Sequence, residues 1–136
     1  MQPLIYSLVA AAVVGAVPLL LRRALVVRVV GHSMTPNLCD GDRLLGWRRR
    51  CRVGDVVVFR RDAGDDLAHL VKRVAAVAGD SVPAEFRHTF DGDRVPLGYI
   101  LVRGDNARSL DSRRLGLVSL DSVVAVVVLR LEATCT

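Results

Sequence analysis

Between Pro3 and Leu21 the chain carries no Asp, Glu, Lys or Arg and is almost entirely aliphatic. A helix over this run would be about 28 Å long, close to the thickness of a bilayer's hydrocarbon core. Any fold must therefore bury the segment completely or leave it to lipid. A cleaved secretory signal wants basic residues ahead of its apolar stretch, whereas here Arg22 and Arg23 follow it and only Met1 and Gln2 precede it. The expectation is a retained, single-pass transmembrane helix over residues 1–23, with a buried core helix as the alternative for a run of this length.

Beyond Arg23 the pattern changes to short apolar stretches of period two, broken by Gly-Asp and Asp-Gly pairs. The stretches are Val26 to Val30, Arg43 to Trp47, Asp55 to Arg60, Leu67 to Val77, Tyr99 to Arg103 and Ser122 to Leu131. They predict a mainly β protein, a single compact all-β domain over residues 24–136. A chain of 136 residues has no room for a TIM barrel beside its anchor. With only 4% aromatic residues, it also lacks the stacking surface of a single-strand nucleic-acid binder, so its net charge of +5 is no argument for nucleic acid. Arg48 to Arg52, four arginines around Cys51, reads as a solvated loop; if it has a partner, an anionic bilayer is the natural one.

Lys72 is the one lysine among 19 basic side chains. Lysine can do one thing that arginine cannot, which is to lose its proton when burial disfavours the charge. Strand alternation places Lys72 on the face of Leu70, Val74 and Ala76, with His69 and Arg73 opposite. A desolvated amine there is a general base near neutral pH; a stem that snorkels to solvent is the ordinary alternative. A base needs a nucleophile. Ser33, in Gly31-His32-Ser33-Met34-Thr35-Pro36, follows a strand and sits where Gly31 would admit a neighbouring backbone and Pro36 would stiffen the exit. His32 is adjacent and points to the other side, so a histidine base would have to be His69 or His88.

A third polar segment, Arg103 to Gly116, contains Gly104-Asp105-Asn106, Ser109, Asp111 and Arg113. Asp111 and Arg113 are placed to pair, and a plain solvent loop is the competing reading. Cys39, Cys51 and Cys135 have no C-x-x-C spacing and, with His32, His69 and His88, complete no ligand pattern. No metal and no cofactor is expected, and the state of the three cysteines stays open.

Taken in order, these blocks resemble the type I signal peptidases, membrane-bound serine proteases with a Ser/Lys dyad, and in length their short mitochondrial inner-membrane relatives. The matching residues are Gly31, Ser33, Met34, Pro36, Leu38 and Gly41-Asp42; Gly54-Asp55 with Val56-Val57-Val58-Phe59; Lys72-Arg73-Val74 with Gly79-Asp80; and Gly104-Asp105-Asn106, Ser109, Asp111-Ser112-Arg113 and Gly116. The resemblance implies Ser33 as nucleophile, Lys72 as general base and the Ser33 backbone N–H in the oxyanion hole. It implies a Ser109 hydroxyl bonded to the lysine and an Asp111–Arg113 pair holding the loop. Gly31 stands where many bacterial members have a serine that completes the oxyanion hole. Ala76-Val77-Ala78 replaces a Gly-x-Pro, Leu115 replaces an aromatic, and the short spacing from Asp80 to Gly104 leaves no space for a second β domain.

The function so implied is removal of N-terminal leader peptides from precursor proteins, bound as extended chains and cut after small residues. A dedicated maturation protease with the same chemistry, and a catalytically silent membrane-tethered binding module, are the alternatives. Family precedent puts the catalytic domain outside the cytoplasm, whereas Arg22, Arg23 and Arg28 after the apolar run favour the opposite orientation.

Overall fold

Seven antiparallel strands form one sheet in the order β1-β2-β7-β3-β4-β5-β6 in a computed structural model that describes residues 2–63 and 66–135. The strands are β1 (Ala24–Arg28), β2 (Arg43–Trp47), β3 (Val56–Ala63), β4 (Asp66–Val77), β5 (Tyr99–Arg103), β6 (Val118–Ser119) and β7 (Val123–Glu132). Helix α1 (Gln2–Leu21) precedes them, and the one-turn helix α2 (Ser112–Leu115) lies between β5 and β6.

The apolar run is indeed helical, and none of its span from Pro3 to Leu21 is buried against the rest of the molecule. That rules out the core-helix alternative: a helix this apolar, with Leu8 at 69% and Val14 at 73% exposure, has no protein surface covering it. By length and composition it can cross a membrane.

The sheet is covered on both faces, so alternation within a strand sends neighbours into different apolar clusters. Val57 and Phe59 of β3 join Val74, Ile100, Val102 and Val126, while Val58 between them packs with Val29, Met34, Leu38, Leu44 and Val71. On β5, Leu101 turns away from Ile100 and Val102 to meet Val82, Phe86 and Val95 of the β4–β5 connection. Val71 is buried on the face expected to carry His69 and Arg73.

The C-terminal residues clasp the β1–β2 connection. Asp42 is fully buried, and its carboxylate accepts from the Cys39 N–H (2.9 Å), the Thr134 N–H (2.7 Å) and the Thr134 hydroxyl (2.9 Å), and pairs with Arg130 at 2.7 Å. Burial alone would push its pKa up; these donors outweigh burial and bring it down to about 2. A disulfide between Cys39 and Cys135 closes the same clasp, and Cys51 is a free, buried thiol. Replacing both bridged cysteines with serine should lower stability by on the order of 2–5 kcal/mol, because the bridge closes most of the chain into one loop. The midpoint of urea unfolding checks this; an unchanged midpoint would mean that the Asp42 contacts hold the clasp alone.

Candidate active site

Ser33 sits on the β1–β2 connection, which is held onto the sheet by two apolar anchors. Met34 is 1% exposed and Leu38 is buried beside it, both packed with Val58 and Val71. Gly31 opens the turn with φ +87°, and its N–H donates to Asp40 Oδ1 at 2.8 Å. A Cβ added there would meet nothing within 4 Å. Gly31 is thus required by its left-handed backbone, and the close approach expected of it does not occur. Pro36 follows, joined to Thr35 by a cis peptide bond.

Lys72 comes from the middle of β4, opposite Val57. It is 2% exposed, and its Nζ lies 2.7 Å from Ser33 Oγ and 3.0 Å from the Val71 carbonyl oxygen. Burial lowers its pKa below the ordinary lysine value, partly opposed by the Asp111 carboxylate. The snorkelling alternative is excluded by this geometry, since the amine ends inside the protein rather than in water.

The segment after β5 fixes the Ser33 turn from the other side. The Asn106 backbone N–H donates to the Ser33 carbonyl and the Asn106 side-chain amide donates to the His32 carbonyl, both at 3.0 Å. Asp105 accepts two bonds from Arg73, at 2.9 and 2.7 Å, and one from Asn37 Nδ2 at 2.9 Å, so it ties β4 to the turn. The Arg73 guanidinium is the first cause of the lowered Asp105 pKa. Gly104 is where two backbones meet. A Cβ there would collide with the Ser109 side chain and lie 2.6 Å from the Ser33 carbonyl oxygen.

Asp111 is fully buried and pairs with Arg113 through two bonds, Nε to Oδ1 at 3.0 Å and Nη2 to Oδ2 at 2.7 Å. It also accepts the Gly104 N–H at 2.7 Å and caps α2 through the Arg113 N–H. Burial pushes its pKa up, but these donors prevail and the group is held ionised. Ser109 is buried beside the site, yet its hydroxyl has no hydrogen-bond partner among the described residues; the second contact of Lys72 is the Val71 carbonyl instead. None of the histidines bonds Ser33: His32 and His69 make no side-chain hydrogen bond among the described residues, and His88 Nε2 contacts the Arg113 carbonyl.

Arg73, Asn37 and Ser112, whose hydroxyl accepts the Val102 N–H at 2.8 Å, also hold the site together through contacts that residue type and spacing do not reveal. The one available signal was that Arg73 adjoins Lys72 and Ser112 lies between Asp111 and Arg113.

The chain matches the profile of a family described as signal peptidase, peptidase S26, over residues 2–88 and 83–132. It is 37% identical over 108 residues to the mitochondrial inner membrane protease subunit 1 of Schizosaccharomyces pombe, covering 74% of this chain and 68% of that protein. It is 30% identical over 145 residues to signal peptidase IB of Staphylococcus aureus, covering 75% and 74% respectively. The matched regions hold the Ser33 turn, β4 with Lys72 and the loop from Gly104 to Arg113. The chain belongs to the signal peptidase family, peptidase S26, and is a serine endopeptidase.

Proposed function

We propose that this protein is a membrane-anchored leader peptidase in which Ser33 is the nucleophile and Lys72 the general base. The observation that carries the reading is the 2.7 Å approach of a buried, pKa-lowered Lys72 amine to the Ser33 hydroxyl. A neutral amine accepts the Ser33 proton as Oγ attacks the scissile carbonyl, and it then delivers that proton to the departing amine. The Ser33 N–H donates no hydrogen bond within the protein among the described residues, which leaves it free for the oxyanion. Water then attacks the acyl carbonyl as Lys72 takes its proton, the bond from that carbon to Ser33 Oγ breaks, and Lys72 returns the proton to Ser33. Asp105, Asn106, Asp111 and Arg113 are positioning residues: they fix the turn and the loop that frame the dyad.

The domain assignment follows the same division, with residues 1–23 as anchor and 24–136 as protease domain. The Cys39–Cys135 disulfide favours an oxidising compartment for that domain, so we place it outside the cytoplasm despite Arg22, Arg23 and Arg28. Precursor proteins are the substrates, and an extended peptide would add as a strand, with alternate side chains entering pockets. Small residues are expected one and three positions before the cut. In a peptide series cleaved by the detergent-solubilised protein, Ala to Phe at either position should cost roughly ten- to a hundredfold in kcat/KM through overpacking. Equal rates for Ala and Phe would remove the leader-peptidase specificity and leave the Ser/Lys chemistry standing.

A further inference from the structure

An open cavity of about 340 Å³ that takes no lining residue from the dyad loops is bounded by Arg48, Arg49, Arg60, Asp121 and the β7 stretch from Val123 to Ala125. Its charge balance is three guanidinium groups to one carboxylate. Arg49 is committed, holding Asp55 through two bonds of 3.0 and 3.1 Å. Arg60 reaches only the Asp121 carbonyl, at 3.5 Å, and Arg48 has no side-chain partner among the described residues. Two exposed, largely unengaged guanidinium forks facing one cavity are a match for the paired oxygens of a phosphate group.

Chain connectivity keeps the Arg48 end of this cavity close to the end of α1. The Arg48 N–H donates to the Arg23 carbonyl at 2.9 Å, and Arg23 stands two residues after α1 ends at Leu21. With consecutive Cα atoms 3.8 Å apart, Arg23 lies within about 8 Å of the end of the helix however that helix is tilted. Once α1 crosses a bilayer, the Arg48 backbone stands at or just beyond the headgroup layer, which is only several ångströms deep on each side of the hydrocarbon core, and its long side chain can reach into it. A free phosphate meets the cavity only by diffusion, whereas lipid phosphates are held beside it at high local concentration.

We propose that the Arg48–Arg60 cavity binds the phosphodiester headgroup of an anionic phospholipid and so seats the protease domain against the membrane surface. The proposal rests on reading α1 as membrane-spanning and is independent of the Ser/Lys chemistry. Bulk attraction of a basic loop to an acidic surface needs only charge, but a cavity that grips a headgroup needs the guanidinium fork.

Trp47 makes the test direct. It is the single tryptophan of the chain, precedes Arg48 and pairs in the sheet with Ala24, the residue after Arg23. The full-length protein is reconstituted in phosphatidylcholine vesicles containing about one-fifth phosphatidylglycerol, with brominated chains on one lipid or on the other at equal mole fraction. Enrichment at the cavity should make quenching of Trp47 by brominated phosphatidylglycerol about twofold or more stronger than by brominated phosphatidylcholine. Arg48→Ala/Arg60→Ala should abolish the excess while leaving cleavage of a soluble peptide in detergent intact, which separates loss of the site from loss of the fold. Arg48→Lys/Arg60→Lys, which keeps the charge, should lose most of it as well. Equal quenching by the two lipids in the wild type, or an excess that survives the lysine pair, overturns the proposal. So does a shift of Trp47 emission by millimolar inorganic phosphate in pure phosphatidylcholine vesicles without any phosphatidylglycerol excess, since the site would then take free phosphate.

Discussion

Replacing Lys72 with arginine should lower kcat/KM for a leader-peptide substrate by about 100-fold or more, with the fold retained. Arginine keeps the positive charge and hydrogen-bonding capacity next to Asp111, yet it cannot give up a proton at any working pH. A residue kept only for its charge would survive this exchange; a base would not. Ser33→Ala should be at least as damaging, because among the described residues no other hydroxyl hydrogen-bonds the amine. By contrast, replacing His32, His69 and His88 together should leave the rate within a few-fold of wild type, since no histidine bonds Ser33. Activity in Lys72→Arg above about a tenth of wild type, measured with purified protein of unchanged circular dichroism, would remove the dyad mechanism.

Gly104→Ala should produce the second large loss. Gly104 has an ordinary negative φ, so its requirement is space and not backbone freedom. The added methyl would occupy the position of the Ser109 side chain and crowd the Ser33 carbonyl, which already accepts the Asn106 N–H. Overpacking of this kind costs about 1–3 kcal/mol in stability. The displaced Ser33 turn costs catalysis more, since a shift of about 1 Å between reacting groups is worth on the order of 100-fold. Parallel measurement of kcat and Tm separates the two. A fall in Tm with full activity in the remaining folded protein would place Gly104 outside the catalytic geometry.

β2 was legible in the sequence because it buries alternate side chains, whereas β3 and β5, covered on both faces, show as short continuous apolar runs bounded by polar residues. Arg43 to Trp47 and Tyr99 to Arg103 coincide with β2 and β5, and Leu67 to Val77 falls one residue short of β4. Val118–Ser119 was invisible, since two residues carry no period. The segment around Asp111 looked like a loop for the same reason: a four-residue helix is defined by its cap, and the Asp111 cap is shared with a buried ion pair. Lys72 stood out by composition, and Ser33 by its place after a strand. What brings them together is long-range and leaves no local trace. Asn106 bonds the backbone at His32 and Ser33, Asp105 bonds Arg73, and Thr134 and Cys135 close over Asp42 and Cys39. Gly31 shows the limit of residue type as a signal, because a glycine that permits contact and one that permits a positive φ look identical in sequence.

Titration of the Lys72 amine itself decides whether a buried lysine is the base for Ser33. The chain has a single lysine, so protein grown with lysine labelled at 13Cε gives one side-chain resonance that needs no assignment. Burial lowers the Lys72 pKa, and the active form is the neutral amine, so activity should rise with pH through that lowered pKa. The 13Cε midpoint should lie clearly below the value of about 10.4 for a free lysine side chain and coincide with the rising limb of kcat/KM. A midpoint at or above the free-lysine value in an active enzyme, or a rate limb that does not follow the resonance, would contradict a lysine base.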